Sequence, residues 1–209
     1  MPDSVTHFHV SKLREYCTLV TMEKVEKIIL GIDPGTTIMG YGIIRVKGKS
    51  EVEMIEMGAL HLSKYSDHAL KLKKIYDRCV QLIETHNPDV MAVEAPFFGK
   101  NVQSMLKLGR AQGVAFAAAL SLDLTIAEYA PRKIKKSITG SGAASKEQVA
   151  GMVQRTLKLR DEDMPKQLDA TDGIAVALCH HYQLSSPTMQ SGGTGWKAFI
   201  KDNPSRVKR

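Results

Sequence analysis

Residues 28–33 read Ile-Ile-Leu-Gly-Ile-Asp and are followed directly by Pro34-Gly35. An apolar run of this length that ends in Pro-Gly is typical of a buried strand followed by a tight turn. The strand ends in an acidic residue, Asp33. A charged side chain at the end of a buried strand lies at the rim of a sheet, and it therefore marks a candidate site.

The segments that follow predict an α/β fold. Residues 39–46 and 52–62 alternate loosely around the turn sequence KGKS, which favours an antiparallel pair. Residues 90–94 and 124–129 are expected to be further buried strands. Helical periodicity and capping signals predict helices over 67–86, 101–121, 131–137, 145–159 and 169–182. We expect a five-stranded mixed sheet, with three antiparallel strands and then parallel strands, flanked by helices.

The length of 209 residues suits one domain with extensions. Residues 1–26 are polar and without a clear period, and we expect an N-terminal extension that is disordered or not native, with Met22 as an alternative start. The compact domain is expected to span 27–184. Residues 185–209 are expected to form a linker and a basic C-terminal tail.

Composition and charge exclude several classes of protein. Hydrophobic residues make up 43% of the chain, which argues against wholesale disorder, and no apolar run of membrane-spanning length occurs. Three cysteines without framework spacing, and no apolar N-terminal leader, predict a cytoplasmic location. Lys and Arg outnumber Asp and Glu by 29 to 22, which suits a polyanionic partner, although a solvated basic face would give the same count.

Four acidic residues lie where an unpaired charge is costly. Asp33 and Glu94 end two buried strands and converge if those strands are neighbours, while Asp169 and Asp172 share one face at a helix start. Each has a structural alternative: an Asx turn, a surface-facing strand end, an N-cap, or a first-turn acid. Together they predict a divalent-metal site, because converging carboxylates repel one another unless a hard cation neutralises them.

These residues belong to longer motifs, GIDPGTT, VEAPFFGKN, SMLKLGRAQGVAFAAA and DATDGIAVALCHH. In this order and spacing they resemble the RuvC family of crossover junction endodeoxyribonucleases, bacterial Holliday-junction resolvases whose fold is related to RNase H. The resemblance runs from about Ile28 to Tyr182. It implies an RNase H-like nuclease domain that resolves four-way junctions in recombination and repair by paired, symmetric, Mg²⁺-dependent hydrolysis.

The resemblance also implies roles for individual residues. The four acids are implied to be the catalytic metal ligands of two Mg²⁺ ions per active site, with Mn²⁺ able to substitute. The resemblance implies that Phe97, Lys135 and Lys146 contact DNA. We expect the residues beside them in the sequence to contribute to DNA binding: Phe98, Lys100, Arg132, Lys133 and Lys136. The alternatives are two core phenylalanines and a solvated basic face.

A stripe of small residues, Gly109, Gly113 and Ala117, follows one face of the helix at 101–121. Tight packing on the sheet would explain it. The family instead implies a homodimer interface, and a twofold dimer would place two equivalent sites on a near-twofold junction. The RuvA and RuvB branch-migration proteins are expected partners by resemblance only.

Three alternative functions remain open from the sequence. One is a YqgF-like RNase H-fold nuclease that acts on RNA, and another is a non-catalytic junction-binding protein whose acids are structural. A third is an actin-like ATPase or sugar kinase, because GIDPGTT resembles a phosphate-binding turn of that class. The chain is short for that two-domain architecture and has no P-loop, so we expect no nucleotide cofactor.

Overall fold

A computed structural model describes residues 26–48, 50–96, 101–165 and 167–185. Within these residues, five strands form one sheet and five α-helices cover it. In chain order the elements are β1 (Glu26–Asp33), β2 (Ile38–Lys47), β3 (Glu51–His61), α1 (His68–His86), β4 (Val90–Glu94), α2 (Val102–Leu120), β5 (Ile126–Tyr129), α3 (Pro131–Thr139), α4 (Lys146–Leu157), a short 3₁₀ turn (Asp161–Asp163) and α5 (Asp169–Ser185).

The strands lie in the order β3-β2-β1-β4-β5. The pairs β1–β2 and β2–β3 are antiparallel, whereas β1–β4 and β4–β5 are parallel. The predicted five-stranded mixed sheet is therefore confirmed. Because β4 lies directly beside β1, the strands that end in the first two candidate acids are neighbours.

Side chains of the central strands alternate between two hydrophobic cores. Leu30 and Ile32 of β1 point to the face covered by α1 and α2, while Ile29 points to the face covered by α3, α4 and α5. Each of the three is at most 1% exposed. Burial of such a side chain contributes about 1.5–3 kcal/mol, so the alternation fixes which face each strand residue occupies.

Glycines bring α5 unusually close to β1 and β2. A Cβ atom at Gly40 would lie within 3.0 Å of the backbone oxygen of Asp169, and one at Gly173 would lie within 3.0 Å of the backbone of Tyr41. Real Cβ atoms do not approach backbone atoms so closely. The first turns of α5 therefore rest directly on the backbone of the sheet, which the sequence analysis did not anticipate.

Local signals account for most helix ends. Ser145 and Gln148 form the expected capping box at the start of α4, with both reciprocal hydrogen bonds present. The helix ends at Leu157, two residues earlier than expected, because Lys158 adopts a left-handed conformation with φ of 53°. No helix in the described ranges is long and apolar enough to cross a membrane.

Candidate active site

Asp33 and Glu94 lie side by side at the carboxyl edge of the sheet. Ile32 pairs with Val93 in the parallel β1–β4 ladder, and each acid is the next residue along its strand. Ile32 and Val93 both point into the core under α1 and α2. Alternation therefore sends the side chains of Asp33 and Glu94 to the opposite face, where α5 packs.

The two acids of α5 meet the strand acids at this edge. Asp169 begins the helix and Asp172 follows three residues later, on the same face. Asp33, Glu94 and Asp172 line a common cavity of about 110 Å³. Asp169 joins the group at its outer side through an ion pair with Lys146, and its side chain is 34% exposed. The structure thus brings the four predicted acids to one place.

Burial and mutual repulsion disfavour negative charge in this cluster. Burial raises the pKa of Asp33 well above its ordinary value, and the nearby carboxylates of Glu94 and Asp172 raise it further. Burial and the carboxylate of Asp172 raise the pKa of Glu94 to about 7. Burial also raises the pKa of Asp172, against the lowering effect of Lys146. A cluster that resists ionisation in this way is typical of a site that receives a cation.

Lys146 is a cation in contact with the cluster. Its Nζ lies 2.6 Å from Oδ2 of Asp172 and 3.4 Å from Oδ1 of Asp169. Burial works against the charge of Lys146, but the hydrogen bond to Asp172 and the surrounding carboxylates raise its pKa above the ordinary value. The lysine is the first residue of α4. The capping box that fixes the start of this helix therefore also fixes the backbone position from which the Lys146 side chain extends.

The donor set fits a hard divalent cation, since such cations prefer carboxylate oxygens and three of the four acids line one small cavity. In their present arrangement, no three Asp, Glu, His or Cys side chains of the described residues are grouped closely enough to hold a metal ion. The ammonium of Lys146 pairs with two of the four carboxylates. The chemistry of the donor set fits a divalent metal ion.

The predicted DNA-binding residues fall into three groups. Lys135 and Lys146 line the carboxylate cavity. Lys133 places its Nζ 5.1 Å from the centre of the Tyr129 ring, and with Arg132 and Lys136 it lies on the exposed surface of α3. The remaining residues, Phe97, Phe98 and Lys100, lie outside the described residues.

Gln112 is a site residue that the sequence analysis missed. Its side chain, on α2, is buried, and its Nε2 donates to Oε1 of Glu128 at 2.7 Å and to the backbone oxygen of Glu94 at 3.4 Å. The amide thus ties α2 to the end of the strand that carries Glu94. The sequence did contain a signal, which is a polar residue within an otherwise apolar helix face. A buried amide needs hydrogen-bond partners, so this residue could have been predicted to bond a neighbouring element.

The small-residue stripe of α2 does not pack on the sheet. Gly109, Gly113 and Ala117 are all exposed, and a Cβ atom at either glycine would meet no atom of the chain within 4 Å. Large apolar side chains lie on the same helix with high exposure: Val102 63%, Leu106 52% and Leu120 64%. Packing on the sheet, which was the structural alternative, therefore does not explain the stripe.

Comparison with known proteins connects this geometry to one family. The sequence profile of crossover junction endodeoxyribonuclease RuvC matches residues 29–180, which include all four acids. The chain belongs to the RuvC family. A RuvC of Bacteroides fragilis is 63% identical over 183 residues, which are 88% of this chain and 97% of the relative. The RuvC of Cytophaga hutchinsonii is 58% identical over 88% of this chain and 90% of the relative.

Solved structures agree with this assignment. The Thermus thermophilus RuvC in complex with a Holliday junction substrate matches with a TM-score of 0.68 and 30% identity, over 76% of this chain and 95% of that chain. The yeast mitochondrial Holliday junction resolvase Ydc2 has a TM-score of 0.58 but 14% identity, and it supports the fold alone. The predicted family, RNase H-like fold class and endodeoxyribonuclease activity are confirmed, and this RuvC-family nuclease depends on a divalent metal ion.

Proposed function

We propose that this RuvC-family nuclease resolves four-way DNA junctions, and that Asp33, Glu94, Asp169 and Asp172 are its catalytic metal ligands, with Mg²⁺ as the metal. The observation that carries this is the convergence of the four acids at one edge of the sheet, three of them in a cavity that two lysines also line and Asp169 at its outer side. A solved relative in complex with a Holliday junction substrate supports the choice of substrate.

The four acids have one joint task, which is to hold the metal ions. Two Mg²⁺ ions bound there would lower the pKa of an attacking water and stabilise the charge on the phosphate and the leaving oxygen, and Mn²⁺ would substitute. Asp33 and Glu94 sit on adjacent strands of the rigid sheet, so they keep their spacing. The raised pKa values favour this role, because charge that the carboxylates resist alone becomes favourable next to a divalent cation.

Basic residues around the cavity are proposed to position the DNA backbone. Lys135 lines the cavity and lies near enough to lower the pKa of Glu94, so its ammonium can reach a phosphate held at the carboxylates. The exposed Arg132, Lys133 and Lys136 on α3 extend the positive surface away from the cavity. Phosphate contacts of this kind give affinity and register but read no sequence.

A homodimer through α2 is part of the same proposal. The exposed glycines let a second helix approach closely, and the exposed Val102, Leu106 and Leu120 supply apolar surface for it. Twofold symmetry would then present two carboxylate sites to the two strands that must be cut. Interaction with RuvA and RuvB remains an expectation from the family resemblance.

Cleavage of a synthetic junction tests the proposal directly. A four-way junction, labelled in turn on each strand, is incubated with the protein beside a linear duplex of the same sequence and a structured RNA, with Mg²⁺, with Mn²⁺ and with EDTA. We expect paired cuts in opposite strands of the junction only, in either metal, and ligase should reseal the nicked products. Binding without cutting in both metals would favour a non-catalytic junction-binding protein, and preferential cutting of RNA would favour the RNA-nuclease alternative.

A further inference from the structure

The carboxylate cluster contains a cation from its own chain, the ammonium of Lys146. Lys146 Nζ lies 2.6 Å from an oxygen of Asp172 and 3.4 Å from an oxygen of Asp169. The two acids come from α5 and the lysine comes from α4, so these ion pairs join two separate helices at the site. They partly neutralise the two acids of α5, which lie beside the strand acids.

The geometry does not suit simultaneous binding of the lysine and a metal ion. A Mg²⁺ ligand must present a lone pair of its carboxylate to the ion at about 2.0–2.1 Å. The ammonium donates to Oδ2 of Asp172 at 2.6 Å, so it competes with a metal ion for the lone pairs of that carboxylate. An ammonium beside a divalent cation in the same small cavity would also repel it.

We propose that Lys146 is a resident counter-ion of the carboxylate cluster, and that a divalent cation must displace its ammonium from Asp172 and Asp169 in order to bind there. This inference rests on the proposed function in one respect, which is that these acids are the metal ligands. The lysine keeps the site folded and neutralised before metal arrives. Lys146 therefore lowers the affinity of the DNA-free protein for the metal ion, in addition to any contact that this basic residue makes with DNA.

Length and exposure allow the lysine to move. Its side chain is 53% exposed, and the four-carbon stem can turn away from the cavity without any change in the helix. The start of α4 does not depend on the lysine, because the capping box uses Ser145 and Gln148. Substitution at position 146 should therefore leave the fold intact and alter the electrostatics of the cluster.

Calorimetric titration of the full chain with MgCl₂, without DNA, tests the inference. Lys146→Gln removes the charge and keeps most of the length, so we expect it to bind Mg²⁺ roughly tenfold more tightly than the wild type, since a like charge close to the site is lost. Lys146→Arg keeps the charge and can bind both carboxylates in a planar fork, so we expect affinity equal to or weaker than that of the wild type. Lys64→Gln, in the exposed segment between β3 and α1, is the matched control and should leave Mg²⁺ affinity unchanged.

Thermal unfolding gives a second readout that involves no cutting. Without metal, Lys146→Gln should melt below the wild type, because the carboxylates lose their partner, and saturating Mg²⁺ should remove or reverse that difference. Mg²⁺ affinity in Lys146→Gln that equals or falls below that of the wild type would overturn the inference. Tighter Mg²⁺ binding by Lys146→Arg than by the wild type would also overturn it. The arginine variant supplies the test if the glutamine variant does not fold. Failure of the wild type to cut a junction would instead count against the proposed function, since metal affinity is measured without DNA.

Discussion

Asp33 and Glu94 are neighbours across two parallel strands, because Ile32 pairs with Val93 and each acid is the residue that follows. The same alternation that buries Ile32 and Val93 sends both carboxylates to the face where α5 lies. The repulsion between them is therefore imposed by the fold rather than by a flexible loop.

Replacement of Asp33 by Asn should separate binding from cutting. The amide keeps the size of the side chain but loses the charge, so junction binding in EDTA should change little while cutting in Mg²⁺ falls below detection. Because burial and Glu94 raise the pKa of Asp33, its ionised form is costly, and the metal-free Asn variant should also unfold at a higher temperature than the wild type. Gel-shift, cleavage and thermal-unfolding measurements check the three parts.

Asp67→Asn is a matched control for that substitution. Asp67 caps α1 at the surface, away from the carboxylate cavity, and asparagine is an equally good cap. We expect wild-type cutting from this variant. Full cutting by Asp33→Asn would exclude Asp33 as a required metal ligand.

The strand acids could be inferred from sequence because their signals are local. An apolar run that ends in an acid predicts a strand end, and Ser145 followed by Gln148 predicts a capping box that the structure contains. Whether β4 lies beside β1 is a long-range property, and periodicity alone left it open. The family resemblance supplied that information.

Other features of the site depend on tertiary contacts that leave no local pattern. The ion pairs of Lys146 join residues 23 and 26 positions apart, and the hydrogen bond from Gln112 to Glu128 spans 16 positions. The stripe at Gly109 and Gly113 was ambiguous, because the same residues suit tight packing within a chain or between chains. Only the absence of neighbouring atoms within the described residues favoured the second explanation.

Stability of the metal-free protein should fall as the pH rises between about 4.5 and about 7. The pKa of Glu94 is raised from 4.5 to about 7 in the folded state, so the native protein binds more protons than the unfolded chain in that window. Stability then decreases with pH, by on the order of 1–3 kcal/mol over the window. Urea denaturation in EDTA at several pH values measures the slope, and saturating Mg²⁺ should flatten it.

Glu94→Gln is the comparison that isolates this effect. Burial lowers the pKa of His180 and His181, and buried neutral histidines contribute stability that is lost as the pH falls, which is the opposite slope. The difference between wild type and Glu94→Gln removes their contribution. Identical pH profiles for the two proteins would contradict the assigned environment of Glu94.

A charge on the α2 stripe should dissociate the proposed dimer without unfolding the chain. A Cβ atom at Gly113 meets nothing within 4 Å, so Gly113→Glu has room in the single chain but would place a buried charge in a helix–helix interface. Size-exclusion chromatography with light scattering should show a monomer, with unchanged helical content. Gly151→Glu on α4, where a Cβ also meets nothing, is the control that should keep the wild-type mass. A Gly113→Glu variant that remains dimeric would place the interface elsewhere.

Gly173→Ala gives a prediction whose sign separates two effects. In the interior of a helix, alanine is intrinsically better than glycine by about 1 kcal/mol, so α5 considered alone should be stabilised. The new Cβ would lie within 3.0 Å of the backbone of Tyr41, however, and α5 would have to shift away from β2. We expect a net loss of about 1–3 kcal/mol in urea denaturation, as overpacking usually costs, with weaker Mg²⁺ binding because Asp172, one residue away, moves with the helix. Gly151→Ala on α4 has the same propensity gain without the close contact, and it should be neutral or stabilising. A Gly173→Ala protein as stable as Gly151→Ala, with wild-type Mg²⁺ affinity, would mean that the close approach of α5 to the sheet does not set the position of the site.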